Sequence, residues 1–324
     1  MFEKYIEKNK GKLVLLAPLS GITDPPFRSL VRSFGTELVI SEMMACRELM
    51  KQGEDNLKKA SLTPGGMTSI QITGNEIDSM ADAAKLIENM GADAIDINFG
   101  CPVRKVINGY AGSALMKDTI HATKILKSVV NSVKIPVTLK MRMGWNNEDL
   151  NAPIIAKIAE DIGIKMLVVH GRTRCQMFKG KANWEFIKKV KDVVNIPVIV
   201  NGDINNLNDV SESLLKSNAD GVMIGRGAYG KPWLINQIES SLNDKVIMHP
   251  IPTKEEKLKI VLNHLNSSIS HYGIIKGIAM MRKHINWYST DMNNASQFRS
   301  TINRITCPEL LQKAISDFWQ MNKN

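Results

Sequence analysis

The chain has 324 residues, of which 44% are hydrophobic and 23% charged, with a net charge of +10. That composition is ordinary for a globular protein, and no apolar run approaches the ~20 residues that would cross a bilayer. The basic excess is compatible with a polyanionic partner but does not by itself require one.

The N-terminal segment, Met1 to Lys8, has no apolar stretch of the signal-peptide kind, so a cytoplasmic protein is expected. Eight short runs rich in Val, Ile and Leu then recur up to Gly225: Leu13–Ala17, Glu37–Ser41, Thr68–Thr73, Asp93–Asn98, Pro136–Met141, Met166–His170, Ile196–Asn201 and Asp220–Ile224. Most lack polar alternation, as strands buried on both faces of a parallel sheet do. Helical patterns separate them at 25–34, 75–90, 119–133, 152–162, 184–193 and 206–216. In the second of these, Ile77, Met80, Ala84 and Ile87 fall at helical spacing. Strand–helix alternation repeated eight times predicts an α/β fold, a (β/α)8 TIM barrel of ordinary length. A doubly wound sheet would carry a GxGxxG turn after an early strand, and none is present.

Lys231-Pro232-Trp233 leads into another helix, and 249–253 reads as a linker. Thr253 and Glu256 have the spacing of a capping box, after which the pattern stays helical. The division predicted is a catalytic barrel over 1–244 and a small all-helical domain over 245–324. From Lys245 onward there are eleven Lys/Arg against five Asp/Glu, so this last quarter carries most of the excess charge.

The four cysteines show no CxxC spacing and the six histidines no HExxH pattern. Free thiols and no metal are expected.

Chemistry in such a barrel is assembled at the C-terminal ends of the strands. Strand one ends in Ala17-Pro18-Leu19-Ser20-Gly21 and strand three in Gln71-Ile72-Thr73-Gly74. Strand four delivers Asn98 and, in a Gly/Pro-stiffened turn, Cys101. Strands five and six deliver Lys140 with Arg142, and His170-Gly171-Arg172. Asn201-Gly202-Asp203 and Gly225-Arg226-Gly227, after strands seven and eight, stand where this fold holds phosphate. Their glycines admit close approach of backbone N–H groups, and Arg226 adds a charged contact. Lys140 in the barrel mouth calls for an anionic partner: either the electron-rich edge of a reduced flavin, which Gln71 would also contact, or an internal carboxylate, Glu42 or Asp96. Cys101 has three open readings: a small buried hydrophobe, a nucleophile, or a protonated general acid.

These segments resemble the tRNA-dihydrouridine synthases, nearest the bacterial B-type branch. The resemblance runs through residues 17–28, Ser41-Glu42-Met43, 96–102, 111–115, 137–142, 170–174, 201–204 and 224–226, then Arg282-Lys283-His284 with Trp287-Tyr288 and Phe298-Arg299. Leu19 departs from the family's common Met, a volume-conserving change. The resemblance implies an FMN enzyme that reduces particular uridines of the tRNA D-loop, with NADPH as reductant. It implies that Pro18, Leu19, Ser20, Gln71, Lys140 and His170 surround the flavin ring. Asn201, Gly202, Asp203, Gly225 and Arg226 would hold its phosphate. Cys101 would be the proton donor, Asn98 and Arg142 would meet the base, and Arg282, Lys283 and Arg299 would meet the tRNA. No membrane and no obligate protein partner are implied. Removing residues from 245 onward is then expected to spare FMN and abolish tRNA binding. Two rival readings are a dihydroorotate dehydrogenase-like enzyme acting on a small pyrimidine, and a tRNA chaperone with dispensable catalysis.

Overall fold

A computed structural model describes residues 2–9, 12–51, 53–243 and 251–322. Eight parallel strands form the barrel: β1 (Leu13–Leu16), β2 (Leu38–Ile40), β3 (Met67–Thr73), β4 (Ala94–Phe99), β5 (Val137–Arg142), β6 (Leu167–His170), β7 (Val198–Asn201) and β8 (Gly221–Ile224). Their order is β1-β8-β7-β6-β5-β4-β3-β2, and a two-residue strand, Met44–Ala45, adds to β3 beyond β2. Among the described residues no ladder joins β1 to β2, which leaves one seam. All eight expected strands are present, each trimmed, extended or shifted by a residue or two.

The barrel interior has two chemical layers. Its lower part is apolar, with Leu13, Leu15, Leu38, Ile40, Met67, Ala94, Val168 and Ile199 in one buried cluster. A helix at Phe2–Lys8 closes that end, with Phe2 and Tyr5 buried in the same cluster. The sequence reading missed this helix because only three apolar residues interrupt its charged run. Toward the other end the inward positions turn polar: Gln71, Asp96, Asn98, Thr138, Arg142 and His170 are all buried. Where β1 meets β8, a Cβ on Gly221 would lie 2.2 Å from the Leu13 carbonyl oxygen, so only glycine allows that closure.

A larger apolar shell packs the outer strand faces against the surrounding helices. The first, Pro25–Ser33, starts with two prolines and is capped by Asp24, whose carboxylate accepts from Phe27 N at 3.0 Å. No helix of the described residues is long and apolar enough to cross a membrane.

Among the described residues of the C-terminal region there are four helices: Lys254–Tyr272, Ile274–Tyr288, Ala295–Ile302 and Pro308–Met321. The predicted capping box at Thr253 and Glu256 is complete. Val261, Leu265, Ile278, Met281, Ile285, Phe298 and Trp319 form a separate buried cluster, with Phe298 stacked on Phe318 at 3.9 Å. The cluster also takes in Trp233 of the barrel segment, so the two regions share apolar contacts. The predicted boundary at 244/245 lies outside the described residues.

Candidate active site at the mouth of the barrel

A cavity of about 460 Å³ opens at the C-terminal ends of the strands. Pro18, Leu19 and Ser20 border it from β1, Gln71 from β3, and Asn98 with Cys101 from β4. Lys140, Arg142 and His170 border it from β5 and β6. Asn201, Gly202, Asp203, Gly225 and Arg226 complete the ring. The barrel residues singled out from sequence therefore share one wall. Arg282, Lys283 and Arg299 do not border the cavity, and each is half-buried.

Hydrogen bonds running across neighbouring strands fix the thiol. Thr138 Oγ1 donates to Asp96 Oδ1 at 2.6 Å, and Gln71 Nε2 donates to Asp96 Oδ2 at 2.6 Å. Asn98 Nδ2 donates to Gln71 Oε1 at 2.8 Å. The Asn98 Oδ1 then accepts from Gly100 N at 3.0 Å and Cys101 N at 2.8 Å. Ser113 Oγ donates to the Cys101 carbonyl at 2.8 Å. A buried carboxylate thus sets two amides, and the second amide sets the turn that carries the sulfur.

Burial pushes the Cys101 thiol above its ordinary pKa, against the pull of the Val103 N–H, Arg142 and Lys140. The thiol is therefore protonated at neutral pH, which suits an acid and not a nucleophile. Lys140 is lowered to about 8, first by desolvation and then by Arg142, with Asp96 and Cys101 pulling the other way. Its ammonium makes neither a hydrogen bond nor an ion pair among the described residues. His170 is held well below its usual value by burial and the surrounding cations. Arg172 Nη1 lies 3.2 Å from His170 Nε2. Arginine only donates, so Nε2 accepts and the neutral ring carries its proton on Nδ1.

Arg142 was expected to meet the base, and much of its guanidinium is already engaged. Nε donates to the Gly100 carbonyl at 2.7 Å, and Nη1 to the carbonyls of Thr173 at 2.9 Å and Met177 at 2.8 Å. Among the described residues Nη2 makes no hydrogen bond, which leaves it for a ligand. Arg142 thereby ties the cysteine turn to the loop after β6, which brings Phe178 to the cavity. Arg142→Ala is expected to lower stability by about 1–3 kcal/mol by stranding those carbonyls. Arg142→Lys recovers little, since a single ammonium cannot span the fork. Denaturant midpoints at an unchanged slope would check this.

Asp203, expected at a phosphate, spends its carboxylate on protein donors. Oδ2 accepts from Arg172 Nη2 at 2.5 Å and Ala182 N at 2.8 Å, and Oδ1 from Arg226 Nη2 at 3.1 Å. Burial alone would raise its pKa, but these partners outweigh it and hold the carboxyl below the usual range. Asp203 thereby ties Arg226 to Arg172 and the loop after β6. The N–H groups of Gly202, Asp203, Gly225 and Arg226 make no hydrogen bond among the described residues. Unpaired amides beside an arginine suit a phosphate monoester, and Lys140 with Gln71 suits an electron-rich planar ring.

Phe178, Tyr229 and Arg172 are among the residues in or beside the site that had no role assigned from sequence. Phe178 is 52% exposed, with the Arg142 and Arg226 guanidinium carbons 5.6 and 5.9 Å from its ring centre. Tyr229 borders the cavity, and buried Arg172 links β6 to Asp203. Arg172 alone had a signal, its place in the run His170-Gly171-Arg172.

A family model described as "Dihydrouridine synthase (Dus)" matches residues 15–321. A "Probable tRNA-dihydrouridine synthase" of Rickettsia bellii (strain RML369-C) is 50% identical over 308 residues, covering 94% of both chains. Its counterpart in Rickettsia conorii (strain ATCC VR-613 / Malish 7) is 48% identical over 308 residues, covering 94% of this chain and 93% of that one. The "tRNA-dihydrouridine synthase B" of Vibrio parahaemolyticus serotype O3:K6 (strain RIMD 2210633) is 41% identical over 307 residues, covering 94% of this chain and 95% of that one. With matches of this length running through both the barrel and the helical region, the chain belongs to the dihydrouridine synthase family.

Proposed function

We propose that this protein reduces uridines of the tRNA D-loop to 5,6-dihydrouridine, with FMN seated in the barrel mouth and NADPH as reductant. The observation that carries the reading is one continuous cavity with unpaired backbone N–H groups beside Arg226 at one side and the Cys101 turn at another. The N–H groups after β7 and β8, with Arg226 aimed by Asp203, would hold the FMN phosphate. Lys140 and Gln71 would hold the ring edge, and Pro18, Leu19 and Ser20 would pack along it. Neutral His170 would lie beside it as a donor through Nδ1.

Bound FMN supplies one chemical capability, hydride delivery to carbon 6 of uracil. The chain's own residues do the remainder. Asn98 holds the Cys101 turn, and Cys101 Sγ–H gives its proton to carbon 5. Lys140 Nζ keeps positive charge where negative charge gathers, and Arg142 Nη2 is free to meet a uracil oxygen. Turning a uridine out of folded RNA costs a few kcal/mol, which contacts in the cavity offset. The basic region from 245 to 324 would supply the salt-sensitive hold on the tRNA backbone, with the barrel at 1–244 catalytic. A cytoplasmic location fits four cysteines without disulfides.

The test sets tRNA, free uracil and orotate side by side with purified protein and NADPH. The expected result is a yellow protein that forms dihydrouridine in tRNA alone. Turnover of orotate or uracil without tRNA reduction would favour the small-pyrimidine reading. A well-folded preparation that takes up no FMN would end the flavin reading.

A further inference from the structure

The Ile274–Tyr288 helix grips the cavity's frame at two points. Lys283 Nζ donates to the Gly21 carbonyl, and Gly21 N in turn donates to Glu42 at the end of β2. Gly21 stands between Ser20 and Ile22, both at the cavity wall. A Cβ on Gly21 would lie 3.1 Å from the Lys283 ammonium, so the helix sits directly on this turn. One helical turn further on, Trp287 stacks on Tyr229, with ring centres 3.9 Å apart and planes at 16°. Tyr229 borders the cavity and lies three residues past Arg226. The next residue, Gly230, has φ +66°, and its absent Cβ would fall 2.6 Å from the Trp287 carbonyl oxygen.

Lys283 and Trp287 are i and i+4, so they share one helix face. They reach the loops after β1 and β8, the pair of strands that meet in the sheet. Between them His284 packs on Phe27 of the Pro25–Ser33 helix, with ring centres 5.1 Å apart. A residue whose ammonium is committed to a barrel carbonyl, half-buried and beside Asp24 and Glu42, is poorly disposed to hold RNA phosphate.

We propose that this helix is a positioning element of the flavin cavity: Lys283 and Trp287 clamp the loops after β1 and β8 in the form that receives the cofactor. The clamp rests on the flavin reading and deepens it. It makes the helical region part of the cofactor site as well as a partner for tRNA. It also reverses the expectation that a chain ending at 244 would keep its FMN, since that truncation removes both grips.

The test uses the full chain, stripped of flavin, with FMN affinity read by flavin fluorescence and tRNA affinity read separately. Lys283→Met and Trp287→Ala are each expected to weaken FMN binding about tenfold or more, the first on the scale of a lost charge-assisted contact and the second on that of a lost ring stack. Trp287→Phe keeps a ring to stack on Tyr229 and is expected to bind FMN like the wild type. Unfolding midpoints accompany each measurement; if Trp287→Ala does not fold, Lys283→Met and Trp287→Phe decide. Unchanged FMN affinity in Lys283→Met, with weaker tRNA binding and a shallower salt slope, would make Lys283 a phosphate contact and overturn the clamp. Unchanged affinity for both ligands would also overturn it. A wild-type protein that binds no FMN would overturn the flavin reading and the clamp together.

Discussion

Cys101→Ala is expected to lower dihydrouridine formation in tRNA about 10²–10⁴-fold, the usual worth of a positioned general acid. FMN binding and NADPH oxidation are expected to continue, because the sulfur takes no part in gripping the phosphate or in meeting the reductant. The Asn98 carbonyl still orders the turn through the backbone N–H groups of Gly100 and Cys101, so the variant keeps its fold. The pH profile carries the sharper signature. Burial raises the thiol pKa, so the reactive proton is present at neutral pH and is lost only as pH rises through that raised value. The basic limb of turnover is therefore expected above the ~8.5 of a free cysteine. It should vanish from the residual activity of Cys101→Ala. Rapid-quench measurement of dihydrouridine at several pH values checks both points; wild-type turnover in the variant would rule out the acid.

The fold was legible because the barrel's strands are short continuous apolar runs, a pattern that needs no long-range information. The strand ends were legible for a related reason. A run such as Val198–Asn201 that turns from apolar to Asn-Gly-Asp cannot continue into a core. What the sequence hid was which polar groups would satisfy each other. Arg142 and Asp203 look like ligand contacts in a linear reading, yet each is also held by a partner 31 residues away, the Thr173 carbonyl for Arg142 and the Arg172 guanidinium for Asp203. Those partners lie in the loop after β6, which has no periodicity to announce its path. Charge was the least informative cue. Lys283 belongs to a basic tail and reads as an RNA contact, while its ammonium faces the Gly21 carbonyl. Net charge marks a basic region without saying which face of a helix a polyanion would meet.

Lys140→Met is expected to weaken FMN binding about ten- to a hundredfold and to slow uridine reduction, while making the flavin-free protein more stable. The stability half follows from the folded pKa of about 8, below the ~10.4 of a free lysine. Desolvation without a partner makes the charged form costly, and the penalty is fully present below pH 8. It fades as pH rises from about 8 toward 10.4, because the unfolded chain then holds more protons than the folded one. At pH 7 methionine is expected to gain about 1–3 kcal/mol, discounted for the open side of the cavity. The wild type should close that gap as pH climbs through this window. FMN affinity of the wild type should be flat below pH 8 and fall above it, as the ammonium that meets the ring is lost. Chemical denaturation and FMN titration across pH 6.5–10 test the two halves separately. A variant with full flavin occupancy and pH-independent affinity would refute the contact. A variant no more stable than the wild type would mean that Asp96 already satisfies the charge. A cation that weakens the empty protein and strengthens the loaded one is placed for its ligand, and this opposition of sign separates a binding residue from a structural ion pair.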